Sequence, residues 1–208
     1  MKIYIEDQIL EYENNKNEID KIFNEIDNII DKSSKLLSHM IIDDLEIYES
    51  YYDYFLDNIR VIEKVEVVVQ TYKELVYDIL ISTIEYLGEI PKKVQELANK
   101  FYKNVEKEVW NDLNDLLGGV IWIINTFSSI DQDARLKDVV PSYEQWNLYA
   151  QEVFSLQEIL NELEEALLNK DLVLIGDMLS YEILPKFEEM EEQLIQLMGR
   201  KDVLNDFN

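Results

Sequence analysis

The stretch Val61–Leu87, VIEKVEVVVQTYKELVYDILISTIEYL, changes its hydrophobic period in the middle. Up to Val69 the period is two, with Val65, Val67 and Val69 on one side and Glu66 between the first pair. From Thr71 onward Tyr72, Leu75, Val76, Ile79, Leu80, Thr83, Ile84 and Leu87 recur at three and four, the stripe of a helix buried along one face. Thr71 with Glu74 three residues later matches a helix-capping box. A β-branched run that passes through such a cap is a strand-to-helix junction. It predicts a seam between a small mixed front part (residues 1–70) and a helical remainder (71–200), with 201–208 as a tail and the two parts packed as one unit.

Upstream of the seam, Ile3 and Ile5 alternate with Tyr4, a polar turn follows at Glu6-Asp7-Gln8, and Ile9–Tyr12 is apolar again, which predicts a hairpin. Ile19, Ile22, Phe23, Ile26, Ile29, Ile30, Leu36 and Leu37 keep helical spacing. Met40–Tyr48 reads as a second hairpin around Asp43-Asp44, without the glycine that tight hairpin turns favour, and with a helix as the rival reading. A short helix over Ser50–Ile59 completes an expected ββ-α-ββ-α-β order, a sheet with helices on one face.

Downstream, Gly88 and Pro91 are expected to split one helix from the next, over Pro91–Glu108. A third stripe runs through Val109, Leu113, Leu116, Leu117, Val120, Ile121 and Ile124. After a polar connection over Ser128–Pro141, a long helix carries Trp146, Tyr149, Val153, Leu156, Leu160, Leu163 and Leu167. The last carries Leu172, Ile175, Leu179, Ile183, Phe187, Met190, Leu194 and Leu197. Short connections place such helices antiparallel, so the expected fold class is α+β, mostly α, with the small N-terminal sheet followed by an up-down bundle.

Composition narrows function. The 208 residues hold 19 Lys+Arg against 44 Asp+Glu, a net charge of −25. That surface repels nucleic-acid phosphates and anionic lipid, so neither is expected as a partner. The lysines at 92, 93, 100, 103 and 107 alternate with glutamates and read as surface salt bridging. Zero cysteines exclude disulfides, thiolate catalysis and zinc-thiolate or iron–sulfur sites. With His39 as the single histidine, the paired Glu-x-x-His motifs of di-metal bundles are excluded within one chain. Asp131-Gln132-Asp133 lacks the central glycine of a calcium loop. No nucleophile elbow, Walker loop or dinucleotide fingerprint is present. No metal or cofactor is expected, and an enzyme is the less favoured class. The N-terminus MKIYIEDQ does not read as a signal peptide, and no uninterrupted apolar run approaches the ~20 residues of a spanning helix, so a soluble cytoplasmic protein is expected.

Three features stand off the pattern. Gly118-Gly119 interrupts a strong apolar helix, flanked by Trp110 and Trp122, and implies close packing, a kink or a ligand groove. LVLIGDMLSYEIL (172–184) is apolar nearly all round, predicting a helix buried on most sides and making Asp177, Tyr181 and Glu182 candidates for partly buried polar groups. Such carboxylates bond a tryptophan N–H or a tyrosine hydroxyl, or else line a ligand site with Trp122, Gly118 and Gly119. Third, 13 acids against Lys170 and Lys186 lie between residues 144 and 192, densest at Glu188, Glu189, Glu191 and Glu192. That field suits a basic partner. Tyr48, Tyr51, Tyr52 and Tyr54 form a second candidate contact surface.

The segments MIIDDLEIY (40–48), VIEKVEVVVQTYKELVYDIL (61–80), WNDLNDLLGGVIWI (110–123) and LIGDMLSYEILP (174–185) together resemble uncharacterised acidic proteins of low-GC Gram-positive bacteria. The resemblance spans most of the chain and implies no reaction. The expected function is a non-enzymatic interaction module, chaperone-like toward a secreted or flagellar client and binding a basic or amphipathic helix. The alternatives are a small-molecule- or metal-binding protein using buried carboxylates, and a structural homodimer.

Overall fold

The computed structural model describes residues 1–103 and 105–199; the expected tail over 201–208 lies outside them. The chain forms two compact units, Met1–Leu75 and a second from Val76.

The first unit is a five-stranded mixed sheet with two helices. In chain order it holds β1 (Lys2–Ile5), β2 (Gln8–Glu11), α1 (Ile19–Ser33), β3 (Leu36–Ile42), β4 (Leu45–Ile47), α2 (Tyr51–Asn58) and β5 (Lys64–Gln70). The sheet order is β2-β1-β5-β3-β4, with β1 and β5 parallel and the other pairs antiparallel. Alternation decides which face is covered. Ile3, Ile5, Met40, Ile42, Val65 and Val67 pack with Ile19, Ile22 and Ile26 of α1 and Phe55 of α2 in one core, while their neighbours face away. Leu36 and Leu37 open β3 instead of continuing the helix, because Ser34 turns left-handed at φ 57° and ends α1. Asp43 and Asp44 make the β3–β4 turn at φ 48° and 67°, the geometry that favours glycine. Asp43 draws a compensation from outside its own hairpin. Its carboxylate accepts from the backbone N–H of Glu63 and Lys64, the latter at 2.8 Å, and so ties the turn to the start of β5.

The strand-to-helix junction is built as the period change predicts. The Glu74 carboxylate accepts from the Thr71 N–H at 2.7 Å, and the Glu74 N–H returns a bond to the Thr71 hydroxyl at 3.2 Å. Those bonds hold the Glu74 carboxyl below its ordinary range.

The second unit is a bundle of α3 (Tyr72–Phe101, which starts at the junction), α4 (Lys107–Asp131), the short α5 (Leu136–Val139), α6 (Tyr143–Asn169), α7 (Leu172–Met178) and α8 (Leu184–Met198). Side-chain pairs close it into a ring. Lys100 meets Asp112, Trp146 meets Asp131, Lys186 meets Glu152, and Tyr102 meets Asp177. On each seam one number falls as the other rises: Tyr86 rests on Gly119 while Lys100 meets Asp112, and Gln145 meets Gln193 while Glu152 meets Lys186. Neighbours are therefore antiparallel, an up-down bundle.

Four expectations need correction. Gly88 and Pro91 do not split α3, which runs unbroken with Pro91 inside it. A proline there removes the one bond to the Leu87 carbonyl, and the buried stripe Leu87, Ile90, Val94 and Leu97 carries the helix through. In α4 the buried stripe continues through Ile123, Phe127 and Ile130, while Ile121 stands 55% exposed. This helix is also, by length and composition alone, long and apolar enough to cross a membrane, although its single apolar runs are short; a third of that window is buried inside the protein. Fourth, the segment 172–184 is not enclosed on most sides. Val173, Leu174 and Tyr181 face out, and Leu179–Ile183 is a π-turn closed by a bond from the Leu184 N–H to the Leu179 carbonyl. Pro185 follows at once, in the first turn of α8.

Candidate functional site

Among the described residues of the second unit, a cleft of about 420 Å³ opens between α3 and α4. Its floor is Ile90, Val94 and Leu97 of α3 with Leu116 of α4, residues of the two buried stripes. Its rim is charged: Lys93, Glu96 and Lys100 on the α3 side face Asp112 and Asp115 on the α4 side. Lys100 and Asp112 bond across the mouth at 2.7 Å, which raises the lysine above its ordinary range. Tyr86 closes one end, its hydroxyl pushed up by burial.

Gly119 makes room for that tyrosine. A Cβ on it would stand 2.0 Å from the Tyr86 hydroxyl oxygen and 2.5 Å from the ring carbon bearing it. The neighbouring Gly118 has nothing within 4 Å of a Cβ. The two glycines therefore have opposite expected responses. Gly118→Ala gains about 1 kcal/mol from helix propensity alone. Gly119→Ala gains the same term but must displace the tyrosine, an overpacking cost of about 1–3 kcal/mol, so a net loss of about 1 kcal/mol is expected. Urea titration of the two variants beside the parent reads the sign of each.

The other residues singled out from the sequence lie elsewhere. Asp177 accepts a 2.6 Å bond from the Tyr102 hydroxyl, and Gly176 beside it is pressed by the Tyr102 ring and the Ala98 carbonyl. Tyr181 is 75% exposed and Glu182 half-buried. Gly119 thus meets Tyr86 inside α3 and Asp177 meets Tyr102 just past its end, sixteen residues or about 24 Å along the helix axis. One pocket does not hold both groups. Trp122, 39% exposed, follows Gly119 by one helical turn outside the cleft.

Of the acidic run, Glu188 and Glu192 are exposed, and Glu189 pairs with Lys186, which also bonds Glu152. The lysine holds the Glu189 carboxyl below its ordinary range. Glu191 is the exception: burial, then the neighbouring Glu188 charge, push its carboxyl up, and it fits because Gly88 leaves it room on α3. In the first unit Tyr51 donates to the Tyr48 carbonyl and Tyr52 to Asp20, each at 2.7 Å, while the Tyr48 ring stacks on His39. Among the described residues no three acidic or imidazole side chains converge as a metal site would require.

Sequence reasoning passed over the cleft because its residues obey the pattern. The floor is ordinary stripe and the lysines are ordinary surface; the available signal was Tyr86, Ile90, Lys93, Leu97 and Lys100 keeping one face of α3.

No curated protein and no solved structure matches the chain. Residues 1–71 match the model of the TP0873 N-terminal domain, which ends where the β5–α3 junction begins. Residues 78–193, more than half of the chain, match a second model that covers the bundle, and the chain belongs to the family it describes, a domain of unknown function (DUF8042).

Proposed function

We propose that the helical unit is a docking module for an amphipathic helix of a partner protein, working in the cytoplasm of a low-GC Gram-positive bacterium much as a small export chaperone holds its client. The observation that carries this reading is the cleft: an apolar floor of Ile90, Val94, Leu97 and Leu116 under a rim of fixed charges. A partner helix sets apolar side chains into such a groove at i, i+3 and i+4, and its basic residues meet Glu96 and Asp115. The field of the remaining acids, Glu188 and Glu192 among them, speeds the encounter. A second reading also has support, since about 420 Å³ lies within the range of small-molecule sites and would take a short amphipathic ligand.

A photo-crosslinking amino acid placed at Lys93 in the full chain tests the proposal in cells. A protein adduct of defined mass, lost on Glu96→Lys with Asp115→Lys, is expected. An adduct that survives both reversals, or one of twice the chain's own mass, counts against the partner helix and, in the second case, for a homodimer. A small mass retained in native mass spectrometry with no protein adduct favours the ligand reading.

A further inference from the structure

The first unit carries a groove of about 530 Å³ between the edge strand β2 and helix α1. Three observations there point the same way. The first is the open edge. A two-residue turn joins β1 to β2, so Gln8 and Leu10 exchange bonds with β1, as Tyr12 does with Met1 at 3.1 Å. Alternation then turns the N–H and C=O of Ile9 and Glu11 outward. Among the described residues no other backbone pairs with them, and the Ile9 side chain is 60% exposed. The second is the helix held alongside. The Tyr12 hydroxyl donates to Glu25 at one end, and Lys35 pairs with Glu6 at 2.9 Å at the other, so the strand and helix are fastened on both sides of the opening.

The third observation is charge. The groove is lined by Gln8 on the strand and by Lys21, Asn24, Glu25, Asn28 and Lys32 on the helix. The Glu25 carboxylate accepts from Tyr12, Lys21 also pairs with Glu18 at 3.5 Å, and Lys32 makes no ion pair among the described residues. The lining thus carries two lysines against one carboxylate, in a chain with 25 excess negative charges.

We propose that this groove accepts an extended acidic segment of a partner protein as a sixth strand on β2. Main-chain bonds to Ile9 and Glu11 supply the pairing, and the two faces of the added strand supply selection. The residue opposite Ile9 shares its outer face and is apolar. Those opposite Gln8 and Leu10 face α1 and are carboxylates, set against Lys21 and Lys32. This surface is separate from the α3–α4 cleft and prefers the opposite charge, so either proposal can fail alone.

The test uses the full chain and an acetylated Glu-Val-Glu-Val-Glu-Val peptide amide. Saturable shifts and slowed hydrogen exchange at the Ile9 and Glu11 amides are expected, with Lys21→Glu plus Lys32→Glu weakening the complex by roughly tenfold. The matching Lys-Val peptide should neither bind there nor compete. Ile9→Pro removes an outward N–H that the sheet does not use and should abolish binding; if that variant misfolds, the lysine pair decides. Absence of shifts at those amides, or equal binding of both peptides, overturns the proposal. So does a parent dimer that Ile9→Pro converts to monomer, which would assign the edge to a second copy.

Discussion

Trp146→Ala is expected to cost about 3–5 kcal/mol, the range for removing a large aromatic side chain from a packed interior. Trp146 is fully buried, its ring lies 5.4 Å from Phe127 and 5.6 Å from Tyr149, and Phe127 in turn meets Phe154 edge-on. Four rings from α4 and α6 therefore pack in one cluster. The indole N–H also donates to Asp131 at 2.8 Å, joining the end of α4 to the beginning of α6. Trp146→Phe keeps most of the packing and forgoes only the bond, so it should lose about 1–2 kcal/mol. With a urea slope of about 2 kcal/mol per molar, the alanine variant lowers the midpoint of the helical signal by roughly 2 M. A fall no larger than that of Trp146→Phe would mean that the cluster is not the keystone of the α4–α6 seam.

Asp43→Ala is the second large effect, about 2–3 kcal/mol. Two costs coincide. Alanine must hold φ 48°, a left-handed conformation that disfavours a side chain by about 1 kcal/mol, without the polar side chain that eases it for aspartate. The backbone donors of Glu63 and Lys64 also lose their carboxylate, charge-assisted bonds that solvent at this exposed turn replaces only in part. Asp44 offers the control. It sits at φ 67°, no bond from its side chain is present among the described residues, and Asp44→Gly should gain up to about 1 kcal/mol. Opposite signs from adjacent aspartates, measured by thermal unfolding, would separate backbone geometry from hydrogen bonding.

These two sites show what was legible in the sequence. The element order of the first unit follows from local periods, and even the glycine-free turn at Asp43-Asp44 can be placed. That Asp43 reaches across to β5 cannot, because the bond joins residues about twenty apart through a sheet order that the chain alone does not dictate. The parallel pairing of β1 with β5 is hidden for the same reason. In the bundle the buried stripes and the break before Tyr143 were readable, and the passage through Pro91 was not: Pro91 looked like a boundary because a missing bond is local information, whereas the packing that overrides it is not. The cleft depends on how far apart two helix axes sit, and that distance is set where Tyr86 rests on Gly119. Residues that break a pattern draw attention in a sequence, but here the concavity is made by residues that keep it.

The π-turn at Leu179–Ile183 has an evolutionary consequence. Ile175 and Phe187 are both buried, yet twelve residues of plain α-helix would leave them about 120° apart around the axis. The wide turn absorbs one residue and brings them back into phase. A one-codon deletion inside it should therefore leave every later side chain aimed as before, although elsewhere in these helices the same deletion would rotate the rest of the helix by about 100°. Homologues that differ by a single residue in length should carry their gap here.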